Sequence, residues 1–155
     1  MRGTFLLTWN PARVEWPDLA RMARRVQRGE RLRDRWSCAR SKQLRRGDRL
    51  FMLRQGTEPR GIFASGWALT DWYEGPSWRR PGSYCHYLDL FYDALYYTAV
   101  LPRDALRHGA LADMYWDTQS SGPRIPDPVA RALEKIWASR LLTRRPAQTK
   151  QSAPR

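Results

Sequence analysis

Apolar positions fall into two rhythms along this chain, and each rhythm predicts its own kind of element. "GTFLLTW", Gly3 to Trp9, is a short apolar run closed by the turn pair Asn10-Pro11, the signature of a strand. Leu19, Met22, Ala23 and Val26 then follow the i, i+3, i+4, i+7 spacing of an amphipathic helix, with Pro17 near its start and Gly29 past its end. Residues 31–47 show neither rhythm and read mostly as loop. Strand patterning returns in Arg49–Arg54 and in Arg60–Leu69, joined through the turn-like "QGTEP"; the glycines inside the second run predict a bulge or a close backbone approach. Residues 70–83 are rich in Gly, Pro and Trp and read as loop. Tyr84–Tyr92 and Tyr96–Leu101 are aromatic and β-branched enough for two more strands. Arg103–His108 suits a short helix, and Asp117–Pro126 is turn chemistry throughout. Val129, Leu133, Ile136 and Trp137 form the apolar stripe of a last helix, with Asp127 as its expected cap and Pro128 in its first turn.

The resulting order, β-α-β-β-β-β-α, fits an α+β domain built on a mainly antiparallel, curved sheet with helices packed against it. A chain of 155 residues suits one such domain. It is expected over residues 1–141, followed by a basic, disordered tail over residues 142–155.

Charge sharpens the picture. The chain carries 28 Lys and Arg against 15 Asp and Glu, a formal net charge of +13, and the tail accounts for four of the basic residues. The remaining excess favours an anionic partner, most simply nucleic acid. No apolar run reaches a membrane-spanning length, and no signal-peptide pattern opens the chain, so a cytoplasmic location is expected. Two cysteines make no disulfide framework.

Enzyme chemistry is thin. "RQGTEPRG" lacks the spacing of a phosphate-binding Gly-rich loop. His86 and Cys85 are neighbours in an expected strand and point to opposite faces, so a shared metal is not expected. Cys38 lies among arginines that would lower its pKa, which leaves a nucleophilic role to be tested. No catalytic residue, metal or cofactor is assigned.

Tryptophan is the unusual component, with eight in the chain. Trp9, Trp67 and Trp137 suit core positions in strands and a helix. Holding a nucleic-acid base needs flat walls, polar groups for the base edge and positive charge for phosphates. Trp36 offers a wall and Ser37 a hydroxyl or backbone donor. Asn10 offers both donor and acceptor, and Trp116, ahead of "DTQSSG", a second wall. Trp72 stands between the core and site readings; Trp16 and Trp78 read more as structural.

The segment "RWSCARSKQLRRGDRLFMLRQGTEPRGIFASGWA", Arg35 to Ala68, resembles the EVE-like branch of the PUA superfamily. A pattern of the form WS…K…GDR.FLLRQG..PRGI.ASG is common there. "YWDTQSSGPRIP…ALEKIW", Tyr115 to Trp137, is similar to the segment closing that domain, and "FLLTWNP" to its start. The resemblance covers roughly Gly3 to Leu141. It implies a PUA-like fold: a strongly curved, mostly antiparallel β-barrel with flanking helices. It also implies a binding module for modified DNA bases of the 5-methylcytosine or 5-hydroxymethylcytosine type, as in modification-dependent restriction and defence. In the YTH relatives a Trp-Ser pair supplies a cage wall and a base-edge contact; Trp36 and Ser37 match that pair and Asn10 matches loosely. Trp72, Tyr87 and Trp116 complete the expected pocket by position. Arg35, Arg40, Lys42, Arg45 and Arg46 are the expected phosphate contacts. No nuclease motif follows, which leaves a stand-alone reader or one served by a nuclease partner or fused effector.

Three alternatives remain at this level: a modified-RNA reader, a small ribonuclease or amidohydrolase of the ASCH type turning on Lys42, and a protein-interaction module using the aromatic surface.

Overall fold

The computed structural model describes residues 2–144; most of the expected tail, residues 145–155, lies outside the described residues. Eight strands are present: β1 (Thr4–Trp9), β2 (Arg33–Ala39), β3 (Arg49–Arg54), β4 (Gly61–Ala68), β5 (Tyr73–Pro76), β6 (Tyr84–Leu95), β7 (Leu101–Pro102) and β8 (Arg124–Ile125). Helix α1 (Leu19–Gln27) follows β1, and α2 (Asp127–Thr143) ends the described chain, with two 3-10 turns, Arg103–Arg107 and Gly109–Asp113, between β7 and β8. The hydrogen-bonded order is β2-β6-β4-β3-β1-β8, with β5 also on β6 and β7 on β4. β1 runs parallel to β3, and all other pairings are antiparallel.

Strand periodicity builds two cores, one on each face of the sheet. From β1 and β3, Phe5, Leu7, Trp9, Leu50 and Met52 face one side, where Leu19, Ala23 and Val26 of α1 cover them. Leu6, Phe51 and Leu53 face the other, against Val129, Leu133 and Trp137 of α2 and Leu106 and Leu111 of the 3-10 turns. A strand covered on both faces has no polar alternation, which is why "LFML" is continuously apolar. Gly66 in β4 is placed by a close approach: a Cβ there would stand 2.3 Å from the Phe91 carbonyl oxygen, at the shift of register against β6.

The ladder does not close into a barrel among the described residues. β1 and β2 lie at the seam, and other groups bridge it. The Trp36 indole Nε1 donates to the Thr8 carbonyl (3.1 Å). The Gly122 amide donates to the Leu6 carbonyl (2.7 Å), and Leu6 donates to the Pro123 carbonyl (2.9 Å). A mixed α+β sheet is therefore present, while full closure is not.

Several expected elements differ. β2 falls in the segment expected to be loop, because its exposed positions carry Arg and its partners come from distant β6. β5 sits within the expected 70–83 loop. β6 is longer than expected and the Tyr96–Leu101 strand shrinks to β7, because Val100 and Leu101 pair with Ile62 while Tyr97 and Thr98 are exposed. Asp127 lies inside α2 with no capping bond; it pairs with Arg124 (3.3 Å) instead. α2 runs on through Leu142 and Thr143, past the expected domain boundary. No helix among the described residues is long and apolar enough to cross a membrane.

Candidate nucleic-acid interface

β2 positions the central residues. Its side chains alternate, so Asp34, Trp36 and Cys38 face the α1 side of the sheet. Asp34 accepts a hydrogen bond from the Tyr92 hydroxyl (2.7 Å) and Cys38 is fully buried. Ser37 and Arg35 face the opposite side, beside Cys85 and Tyr87. The expected Trp-Ser pair therefore cannot present both side chains to one guest, a consequence of strand geometry that the loop expectation hid. Ser37 Oγ accepts the Ala39 amide (3.1 Å) at a bulge where Ala39 takes φ +56°, and it stands 3.9 Å from the Cys85 sulfur.

Trp36 is half-buried and packs against the core. Its ring centroid lies 5.1 Å from that of Trp16 at an interplanar angle of 37°. Trp16 meets Trp9 edge-on at 5.5 Å and reaches Phe63 and Tyr92. One aromatic nest thus fills the seam, and Trp16 is a member that sequence reasoning placed among structural residues. Polar groups rim the nest. Thr8 donates its amide to Ser121 Oγ (3.0 Å), and Gln55 Nε2 donates to the Thr118 carbonyl. Asn10 Oδ1 accepts the Ala12 amide (3.0 Å) and lies over Gly56. Asn10 is therefore on the rim as expected, but its oxygen already holds its own turn. Gln55, Thr118 and Ser121 were missed; "TQSSG" gave only a turn signal.

The remaining expected pocket residues disperse. Trp116 is buried in the α2-side core and donates Nε1 to the Leu111 carbonyl (2.7 Å), which removes it as a pocket wall. Trp72 is half-buried and stacks on His86 at 4.2 Å, and His86 Nδ1 is bonded to the Ser41 carbonyl (2.8 Å). Tyr87 is buried, its hydroxyl donates to the Pro76 carbonyl (2.6 Å), and burial pushes its pKa up. Trp67, expected in the core, is 38 % exposed beneath the Arg49 guanidinium, whereas Trp9 and Trp137 are buried as expected. Cys38 is fully buried, and that burial pushes its thiol up to about 12, against the lowered value expected from its arginine-rich sequence neighbourhood.

The loop from β2 to β3 is built to display charge. Asp48 is buried and fastens the end of the loop to the residue before β1, accepting the Arg45 amide (2.8 Å) and the Gly3 amide (2.9 Å). Asp71 accepts the Arg46 amide (2.9 Å), so the backbone is pinned and the side chains left outside. Arg35, Arg40, Lys42, Arg45 and Arg46 are all exposed, and none makes an ion pair among the described residues. Arg35 lies over the Tyr87 ring at 4.3 Å. Arg49, last of the same basic run, is different: it is buried and ion-paired to Asp93 and Glu134, each at 2.9 Å.

No family model and no curated protein matches this sequence. Solved structures do. A protein from Leishmania major superposes with a TM-score of 0.63 at 13 % identity, covering 94 % of this chain and 98 % of its own. A structural-genomics target from Pseudomonas syringae gives 0.58 at 14 %, with 86 % and 98 % covered. Human THYN1, solved in complex with 5-methylcytosine-containing DNA, gives 0.56 at 11 %, with 86 % and 96 % covered. The chain shares their fold over nearly its whole described length.

Proposed function

We propose that this chain is a binding module that takes a modified base of the 5-methylcytosine or 5-hydroxymethylcytosine type out of DNA and holds it at the seam between β1 and β2, on the Trp36 face that Trp16 covers in the free protein and must vacate. The observation that carries the reading is unneutralised charge beside an aromatic nest. Five cations between Arg35 and Arg46 stand exposed without carboxylate partners among the described residues, on the strand and loop that also carry Trp36. The fold shared with THYN1, a protein seen with 5-methylcytosine DNA, supports the same partner. The PUA-like fold and the EVE-like resemblance fit that reading, with a nuclease as the expected downstream effector.

Magnitudes divide the labour. Burying one methyl contributes about 0.8 kcal/mol and stacking one base about 1–3 kcal/mol. Extruding a duplex base costs a few kcal/mol. Aromatic contacts therefore offset extrusion, the methyl biases the choice, and phosphate contacts supply the affinity. The role proposed is binding; turnover of RNA or an acylated nucleoside, abolished by Lys42→Ala, would favour the hydrolytic reading instead.

Fluorescence-anisotropy titration across a salt series tests this. Each phosphate contact contributes about −0.9 to the slope of log K against log salt on duplex DNA. Replacing Lys42, Arg45 and Arg46 together by Gln flattens the slope by about 2 to 3. An unchanged slope removes the loop from the interface, and tighter binding to a matched RNA strand moves the partner to RNA.

A further inference from the structure

The hairpin between β5 and β6 carries a second set of recognition groups, outside the seam. Its tip, residues 77–83, reads "SWRRPGS". Trp78 is 48 % exposed and Tyr84, at the foot of the tip, 67 %. The other exposed indole, Trp67, is roofed by the Arg49 guanidinium at 4.7 Å. Over the Trp78 ring the nearest guanidinium is that of its neighbour Arg79, a looser 5.9 Å from the ring centroid. Neither Arg79 nor Arg80 makes an ion pair among the described residues.

The tip is nevertheless ordered by its own hydrogen bonds. Ser77 Oγ accepts the amides of Arg79 (3.1 Å) and Arg80 (3.3 Å), and the Ser77 amide donates to the Ser83 carbonyl (2.8 Å). Ser83 donates its hydroxyl to the Arg80 carbonyl (2.9 Å). Gly82, at φ +84°, turns the chain with nothing within 4 Å of where its Cβ would sit, so this turn stands clear of the body. The root is tied to the charged strand: Tyr87 bonds the Pro76 carbonyl, and Arg35 of β2 covers the Tyr87 ring. A pre-ordered tip with a half-exposed indole followed by two unpaired arginines fits an anionic, flat-faced partner better than an apolar one. Glu74, back on β5, is the one acid between Tyr73 and Tyr87.

We propose that Trp78 stacks on a base exposed in the bound DNA outside the seam, with Arg79 and Arg80 on neighbouring phosphates. This rests on the nucleic-acid reading above. A base leaving a duplex exposes the faces of its neighbours, and an inserted aromatic ring restores part of that lost stacking.

The test compares wild type, Trp78→Ala, Trp78→Phe and Trp36→Phe on duplexes carrying one 5-methylcytosine or plain cytosine. Position 78 is exposed, so its variants keep the wild-type melting temperature. Trp78→Ala weakens binding to both duplexes equally, by about 5- to 150-fold, and leaves the modified-to-plain ratio and the salt slope intact. Trp78→Phe recovers most of the loss, while Trp36→Phe changes the ratio. Trp78→Ala binding within twofold of wild type would overturn the tip's role and leave the nucleic-acid reading standing. Wild type that binds no duplex at low salt overturns both.

Discussion

The Trp36 indole has a structural duty alongside any binding one. Its N–H occupies the Thr8 carbonyl, an acceptor that a closed ladder would have used, and its face is covered by Trp16. A base can stack on that face only where Trp16 now lies. Trp16→Ala therefore costs about 3 kcal/mol of stability, the low end of the range for a large aromatic because the residue is only partly buried, yet tightens binding to the modified duplex relative to wild type. Thermal melting and titration of the same preparation check both halves; weaker binding would make Trp16 a wall instead of an occupant. Single residues were unevenly legible in the sequence. Trp36 and the cations around it stood out by type and neighbourhood. Arg49 looked the same as they did, because its partners Asp93 and Glu134 are 44 and 85 residues away. Trp116 misled for the same reason: what buries it is α2 and the 3-10 turns, which no local pattern names.

Elements were legible where burial imposes a pattern. β1, β3 and β4 are apolar on both faces and α1 has a clear stripe, so their spacing sufficed. β2 is half-exposed, bulged and paired with a strand some fifty residues on, and its arginines make it look like loop. The consequence falls on the site, since alternation along β2 separates Ser37 from Trp36. The seam depends on Gly122, which has φ +103° and leaves no room for a side chain: a Cβ there would stand 2.6 Å from the Cys38 carbonyl oxygen. Gly122→Ala destabilises by about 2 kcal/mol, a drop of about 4–8 °C in melting temperature, and loosens β2 from β1. Hydrogen exchange at the Leu6 and Gly122 amides reports the second effect; unchanged protection there would mean that the segment does not bridge the seam.

At the scale of the molecule, charge is sorted rather than merely abundant. Carboxylates meet arginines away from the β2–β3 loop: Asp18 and Glu30 around α1, Asp117 with Arg103 and Arg107, and Asp127 with Arg124. Five unpaired cations cluster between Arg35 and Arg46 and two more stand on the β5–β6 tip, while Arg13, Arg24, Arg131 and Lys135 are unpaired elsewhere on the surface of the described residues. The net charge announced an anionic partner in the sequence, but where the excess settles depends on which pairs the fold closes. The most direct measurement is the affinity of the wild-type chain for two duplexes differing in one 5-methyl group, taken at two salt concentrations. Both bind, both weaken steeply as salt rises, and the methylated duplex binds about fourfold tighter at each, the worth of one buried methyl. Equal affinity for the two duplexes, or binding indifferent to salt, would contradict it.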